Sequence, residues 1–112
     1  MKMEIIEREE GEVRVLSLVG RLDTNTTPDA EAQINSVLDS GANKLLINFE
    51  NIEYVSSAGL RLLLATAKRL KGSAGELRIS CLNETVQEVF DISGFASILT
   101  VLATENEALD AF

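Results

Sequence analysis

A chain of 112 residues and 12.2 kDa suffices for one ordinary domain, expected over residues 1–112, that buries about 65% of its unfolded surface. Its 46% apolar and 25% charged residues are globular in composition, and ten basic against eighteen acidic side chains leave a net charge of −8, which disfavours nucleic acid and anionic membrane surfaces as partners. The absence of histidine removes Ser-His-Asp and Cys-His catalysis and most zinc sites, and the lone Cys81 precludes an internal disulfide.

Residues Met1 to Glu7 carry acids where a signal peptide needs an apolar run, and no stretch approaches the roughly eighteen apolar residues of a membrane span. A cytoplasmic protein with no membrane insertion is expected. Met3 to Glu7 and the β-branched run Val13 to Val19 read as two strands joined by the polar turn Glu9-Glu10-Gly11-Glu12, with Gly20 ending the second. Arg21 to Pro28 is a polar loop that opens a helix, with Thr27 at N-cap, Pro28 at N1 and Asp29 near the positive end of the dipole. That helix runs to about Asp39 on the stripe Ala30, Ile34, Val37 and Leu38, and Gly41 stops it.

Leu45 to Phe49 reads as a central strand covered on both faces, followed by a loop from Glu50 to Val55. The spacing of Leu60, Leu63, Leu64, Ala67 and Leu70 marks a second helix, with Lys68, Arg69 and Lys71 in its last turn and Gly72 as its stop. Leu77, Ile79 and Cys81 alternate with polar neighbours as in a strand with one buried face, which makes Cys81 a small buried hydrophobe. Asn83 caps a short third helix carrying Val86, Val89 and Phe90, with Phe90 and Phe95 expected in the core. Ile98 to Leu102 reads as a last strand, and Thr104-Glu105-Asn106-Glu107 as a capping box opening a terminal helix through Leu109 and Phe112. The order is ββαβαβαβα, an α/β fold with a central mixed sheet and helices. The acids Glu7, Glu9, Glu10 and Glu12 suit a solvated sheet edge that discourages strand association.

The most informative stretch is Tyr54-Val55-Ser56-Ser57-Ala58-Gly59-Leu60, which puts two hydroxyls at a helix N-terminus after the central strand. Free N–H groups and the helix dipole favour negative charge there, so a phosphate carried on a serine would be tolerated. A second reading of the same residues makes Ser56 or Ser57 a plain N-cap, with Gly59 packing against a strand. Glycine in the first turn costs about 1 kcal/mol against alanine, which implies that another backbone comes close to Gly59. A nucleophile elbow would need glycine where Val55 stands, and a phosphate-binding P-loop is not matched by Lys71-Gly72-Ser73. A receiver-type phosphoacceptor would need clustered aspartates at strand ends, and Asp23 has no such companion. No catalytic, metal or cofactor residue is therefore assigned, and a small phosphotransfer or nucleotide-using enzyme is disfavoured.

Together, Gly20-Arg21-Leu22-Asp23, the Tyr54–Leu60 stretch, the apolar helix Leu60 to Leu70 and the element order resemble the STAS domains, shared by bacterial anti-sigma factor antagonists and the cytosolic parts of sulphate transporters. The resemblance covers essentially the whole chain and looks most like the stand-alone antagonists. It implies a non-enzymatic switch in which the unphosphorylated protein binds an anti-sigma factor with serine kinase activity. Phosphorylation of one serine releases the complex, and a serine phosphatase restores it. The family's phosphoacceptor falls on Ser57, with Ser56 where an aspartate is usual, so Ser56 stands as the alternative acceptor. Asp23, Thr24, Asn25, Ser56, Ala58, Gly59 and Arg61 are the implied partner contacts; Asp23 reads equally as a turn cap. A monomer is expected when free. The alternative function is a STAS subunit of another assembly, such as a transporter complex, that is never phosphorylated.

Overall fold

The computed structural model describes residues 3–112. Its strands are β1 (Glu4–Glu10), β2 (Val13–Leu22), β3 (Lys44–Val55), β4 (Glu76–Ser80) and β5 (Thr100–Leu102). Its helices are α1 (Thr27–Asp39), α2 (Ser57–Gly72), α3 (Glu84–Ser93) and α4 (Glu105–Asp110), with a 3-10 turn at Phe95–Ser97. The expected order ββαβαβαβα is the observed one. One five-stranded sheet runs β1-β2-β3-β4-β5, antiparallel between β1 and β2 and parallel elsewhere.

Strand alternation gives the sheet two apolar faces, because β2 to β4 are covered on both sides. On one face Leu16, Leu18, Leu45, Ile47, Phe49 and Ile79 meet Ile34 and Val37 of α1, Leu63 and Leu70 of α2, and Val86 and Phe90 of α3. The Phe49 and Phe90 rings meet edge to face, 6.4 Å between centroids. On the other face α4 lays Ala108 over Val13, Val15 and Leu46. Glu105 ties α4 down, accepting from Asn48 Nδ2 at 3.0 Å and from Arg8 Nη2 at 2.6 Å. β1 is an edge strand, and the carboxylates of Glu7 and Glu9 neutralise Arg14 while Glu12 takes Lys44.

Several boundaries differ from expectation, each for a reason outside the local sequence. The segment from Glu50 to Val55 is strand, not loop: β3 continues because β2 runs on past Gly20 to Leu22 and pairs with it, Gly20 opposite Ile52, Arg21 opposite Tyr54 and Leu22 opposite Val55. Register shifts flank Gly20, whose φ of 117° only glycine adopts readily, so Gly20 carries the irregularity rather than ending the strand. The N-cap position of α1 is Thr26, not Thr27, since the Thr26 carbonyl accepts the first helical bonds, from Asp29 and Ala30 N–H at 3.0 and 3.2 Å; its hydroxyl donates to Arg21 O at 2.6 Å and holds the loop, so it makes no cap bond.

Gly72 is the last residue of α2 and not its stop. The left-handed position falls two residues later on Ala74, φ 60°, with Ala74 N–H donating to Lys71 O and Gly75 N–H to Leu70 O in a Schellman arrangement. Cys81 lies beyond β4 at φ 66° and is partly exposed, so it is not a buried residue of an inward face. Ser80, not Cys81, is the fully buried end of that strand. β5 starts at Thr100, which leaves Ile98 outside it and 59% exposed. Phe90 is fully buried and Phe95 packs partly buried against the same cluster.

Candidate functional site

The extended β2–β3 pair carries the chain to two adjoining elements, the loop that opens α1 and the start of α2. Ser56 joins them: its N–H donates to Leu22 O at 2.8 Å, and its Oγ accepts from Gly59 N–H at 3.4 Å as the N-cap of α2. Gly59 is buried against Leu22. A Cβ at residue 59 would lie 2.8 Å from Leu22 Cγ and 3.0 Å from Leu22 O, which is the close backbone approach that glycine in this helix implied.

With Ser56 engaged as the cap and Gly59 inside, Ser57 is left as the first helical residue, exposed, its hydroxyl making no hydrogen bond to any described residue. Ala58 beside it is half-buried, and Arg61, one turn on, is exposed. The two adjacent serines therefore differ in kind. One hydroxyl is used by the backbone; the other faces solvent at the positive end of the α2 dipole.

Asp23 closes the neighbouring loop. Its Oδ1 accepts from Asn25 N–H at 2.9 Å and Thr26 N–H at 3.1 Å, and its backbone carbonyl accepts from Thr27 Oγ1 at 2.6 Å. The Thr26 N–H bond holds the Asp23 carboxyl below the usual carboxylate range, partial burial opposes this, and Asn25 N–H and Arg21 support it. The turn-cap role of Asp23 is thus present in full, and the other Asp23 oxygen, Oδ2, stays 3.7 Å from Arg21 Nε. Thr24 and Asn25 are exposed at the loop tip. Sequence reasoning missed the pair Arg21 and Tyr54, whose guanidinium lies 4.8 Å over the ring on the same edge of the molecule. The only signal for it was the single tyrosine of the chain, and the cross-strand register that joins the two depends on β3 running further than its polar residues suggest.

Surface clefts at the α2–β4 edge, at the β1–β2 turn and beside α4 lie elsewhere, and none of these is lined by Ser56 or Ser57. Among the described residues no three of the types His, Cys, Asp and Glu gather in a group suited to a metal ion. No helix of the described chain is long and apolar enough to cross a membrane. What this edge offers is a surface that carries a free hydroxyl, that of Ser57.

The sequence profile of the STAS domain matches residues 4–108. The chain belongs to the STAS domain family. This STAS domain is 36% identical over 98 residues to a Bordetella bronchiseptica protein named as a candidate anti-sigma factor antagonist, covering 88% of this chain and 84% of that one. It is 30% identical over 82 residues to the anti-sigma-B factor antagonist of Staphylococcus aureus, covering 73% of this chain and 76% of the relative. Among solved structures, the anti-sigma factor antagonist SpoIIAA in its unphosphorylated form superposes on the STAS domain with a TM-score of 0.74 at 27% identity, covering 96% of each chain. The same Bacillus protein in its phosphorylated form gives 0.73 at 28% identity, covering 96% of this chain and 98% of that one.

Proposed function

We propose that this STAS domain is an anti-sigma factor antagonist that acts without chemistry of its own. It binds an anti-sigma factor with serine kinase activity while unphosphorylated and is released when Ser57 is phosphorylated. In that step the γ-phosphoryl of ATP moves to Ser57 Oγ; the new O–P bond forms as the bond to ADP breaks, and the hydroxyl proton leaves. A serine phosphatase would reverse it by hydrolysis. The observation that carries the reading is the division of labour between the serines: Ser56 Oγ is held by Gly59 N–H at 3.4 Å, whereas Ser57 is exposed and unbonded. Relatives named as antagonists, one of them solved in both phosphorylation states, support it.

The surface around Ser57, with Asp23, Thr24, Asn25, Ala58 and Arg61, would be the docking face. Phosphoserine adds about −1.5 to −2 charges at neutral pH, enough to repel a partner's carboxylates and to leave polar groups unpaired at a closely packed contact. The lack of histidine and the surface character of the edge support a switch rather than an enzyme.

The test is parallel affinity capture from native lysate with wild-type protein and Ser57→Asp, with phosphopeptide mapping of the recovered chain. Wild type should retain a serine kinase that Ser57→Asp loses, and phosphate should map to Ser57, persist in Ser56→Ala and vanish in Ser57→Ala. If both proteins hold the same membrane-linked partners and Ser57 is never modified, the domain is a subunit of another assembly and the switch is refuted. Ser56, in the place where the family usually has aspartate, is the feature that makes this second outcome worth measuring.

A further inference from the structure

Against a net charge of −8, the positive charge left unpaired among the described residues is confined to one helix face. Of the basic side chains among the described residues, Arg8, Arg14, Arg21, Lys44, Arg69 and Arg78 each pair with a carboxylate. Arg61, Lys68 and Lys71 alone have no such partner, and all three are exposed on α2, which contains no acidic residue. At 100° per residue, Arg61 and Lys68 fall about 40° and about 20° to one side of Ser57 and Lys71 about 40° to the other, so a basic stripe runs down the helix from that serine.

Taking Ser57 as the phosphorylated residue, and so resting on the reading above, we propose that Arg61 is the phosphate's partner within the chain. Phosphorylation would then act on the docking face by neutralising the head of this stripe as well as by adding charge. Arg61 follows Ser57 by four residues, about 6 Å along the axis, with the anion on the N-terminal side, the favoured orientation for such a pair. A guanidinium offers a planar fork of donors to phosphate oxygens and needs no ion pair broken to do so. Arg21, the other arginine of this edge, is already held by Asp23 and stacked on Tyr54. Lys68 stands about 16 Å further along the helix, beyond contact with a phosphate on residue 57.

The experiment places phosphoserine at residue 57 by semisynthesis and follows its phosphorus resonance through a pH titration in wild type, Arg61→Gln, Arg61→Lys and Lys68→Gln. Because the phosphate is installed chemically, the result does not depend on whether any kinase modifies Ser57; failure of the functional reading would appear in the capture experiment instead. The wild-type phosphate should be about twofold more acidic in its second ionisation than that of Arg61→Gln. Lys68→Gln should match wild type, and Arg61→Lys should fall between. The difference should shrink toward zero in about 1 M salt, where the screening length is about 3 Å. Superimposable curves for wild type and Arg61→Gln would overturn the proposal. So would an equal effect of Lys68→Gln, which would mean a diffuse field and no pair. Arg61 is exposed and makes no side-chain hydrogen bond or ion pair with any described residue, so equal melting of the unphosphorylated variants serves as the folding control.

Discussion

Gly59→Ala tests whether α2 is positioned by its contact with Leu22. On an open helix surface the change would stabilise by about 1 kcal/mol, since alanine loses less backbone entropy than glycine. Here the new methyl would sit 2.8 Å from Leu22 Cγ and 3.0 Å from Leu22 O. Leu22 is fully buried, and its carbonyl already accepts from Ser56 N–H at 2.8 Å, so it cannot retreat without stretching the bond that anchors the start of α2. Overpacking of this kind costs about 1–3 kcal/mol, which cancels or outweighs the propensity gain and leaves a net loss of up to about 2 kcal/mol. For a domain of this size that lowers Tm by up to roughly 10 °C. Urea unfolding followed by circular dichroism would read the loss, and the decisive comparison is a cycle with Leu22→Ala. Truncating Leu22 costs about 2–5 kcal/mol through its cavity, but it removes the clash, so in that background Gly59→Ala should be neutral or stabilising. If Gly59→Ala stabilises the wild-type protein, or costs the same with Leu22 truncated, the close approach does not explain this glycine.

The two serines should separate by stability alone: Ser56→Ala removes the cap and should cost about 0.5–1 kcal/mol, whereas Ser57→Ala should change stability by less than about 0.5 kcal/mol in the same urea assay. Asp23 has its carboxyl lowered in the folded state, so its stabilising effect is present above the unfolded value near about 4 and is lost as pH falls through the folded one. Wild type should therefore exceed Asp23→Asn in stability at neutral pH, with the gap narrowing as pH falls below the unfolded value; a gap that does not narrow in acid would show that charge is not the cause. At the end of α2, Ala74→Gly should stabilise by about 1 kcal/mol because Ala74 occupies a left-handed conformation at φ 60°. One residue on, Gly75→Ala should destabilise, since its Cβ would fall within contact of Asn43 O, and thermal melting of the two variants should give shifts of opposite sign.

Much of this protein is written in local chemistry. The stripe Ala30, Ile34, Val37 and Leu38 is the buried face of α1, Asn83 and Thr104 cap the helices they precede, and the alternation of apolar and polar runs yields the observed element order. Such features depend on residues a few positions apart, so a linear reading recovers them. The Gly59 contact was also legible, because glycine in a helix is costly enough to demand a reason. What the tertiary structure decided depends on partners distant in the chain. Glu50 to Val55 has the polar composition of a loop and becomes strand because β2 runs beside it, and Cys81 turns out at φ 66° because the pairing of β4 with β3 and β5 stops at Ser80, opposite Asn48 and Leu102. The same holds at the site. Two adjacent serines are nearly equivalent in sequence, and only the approach of Leu22, which fixes where α2 starts, makes one a cap and leaves the other free in solvent. Likewise ion pairs, among them the long-range pairs Arg8–Glu105, Lys44–Glu12 and Arg69–Asp39, isolate Arg61, Lys68 and Lys71 as the unpaired positive charges of the described chain.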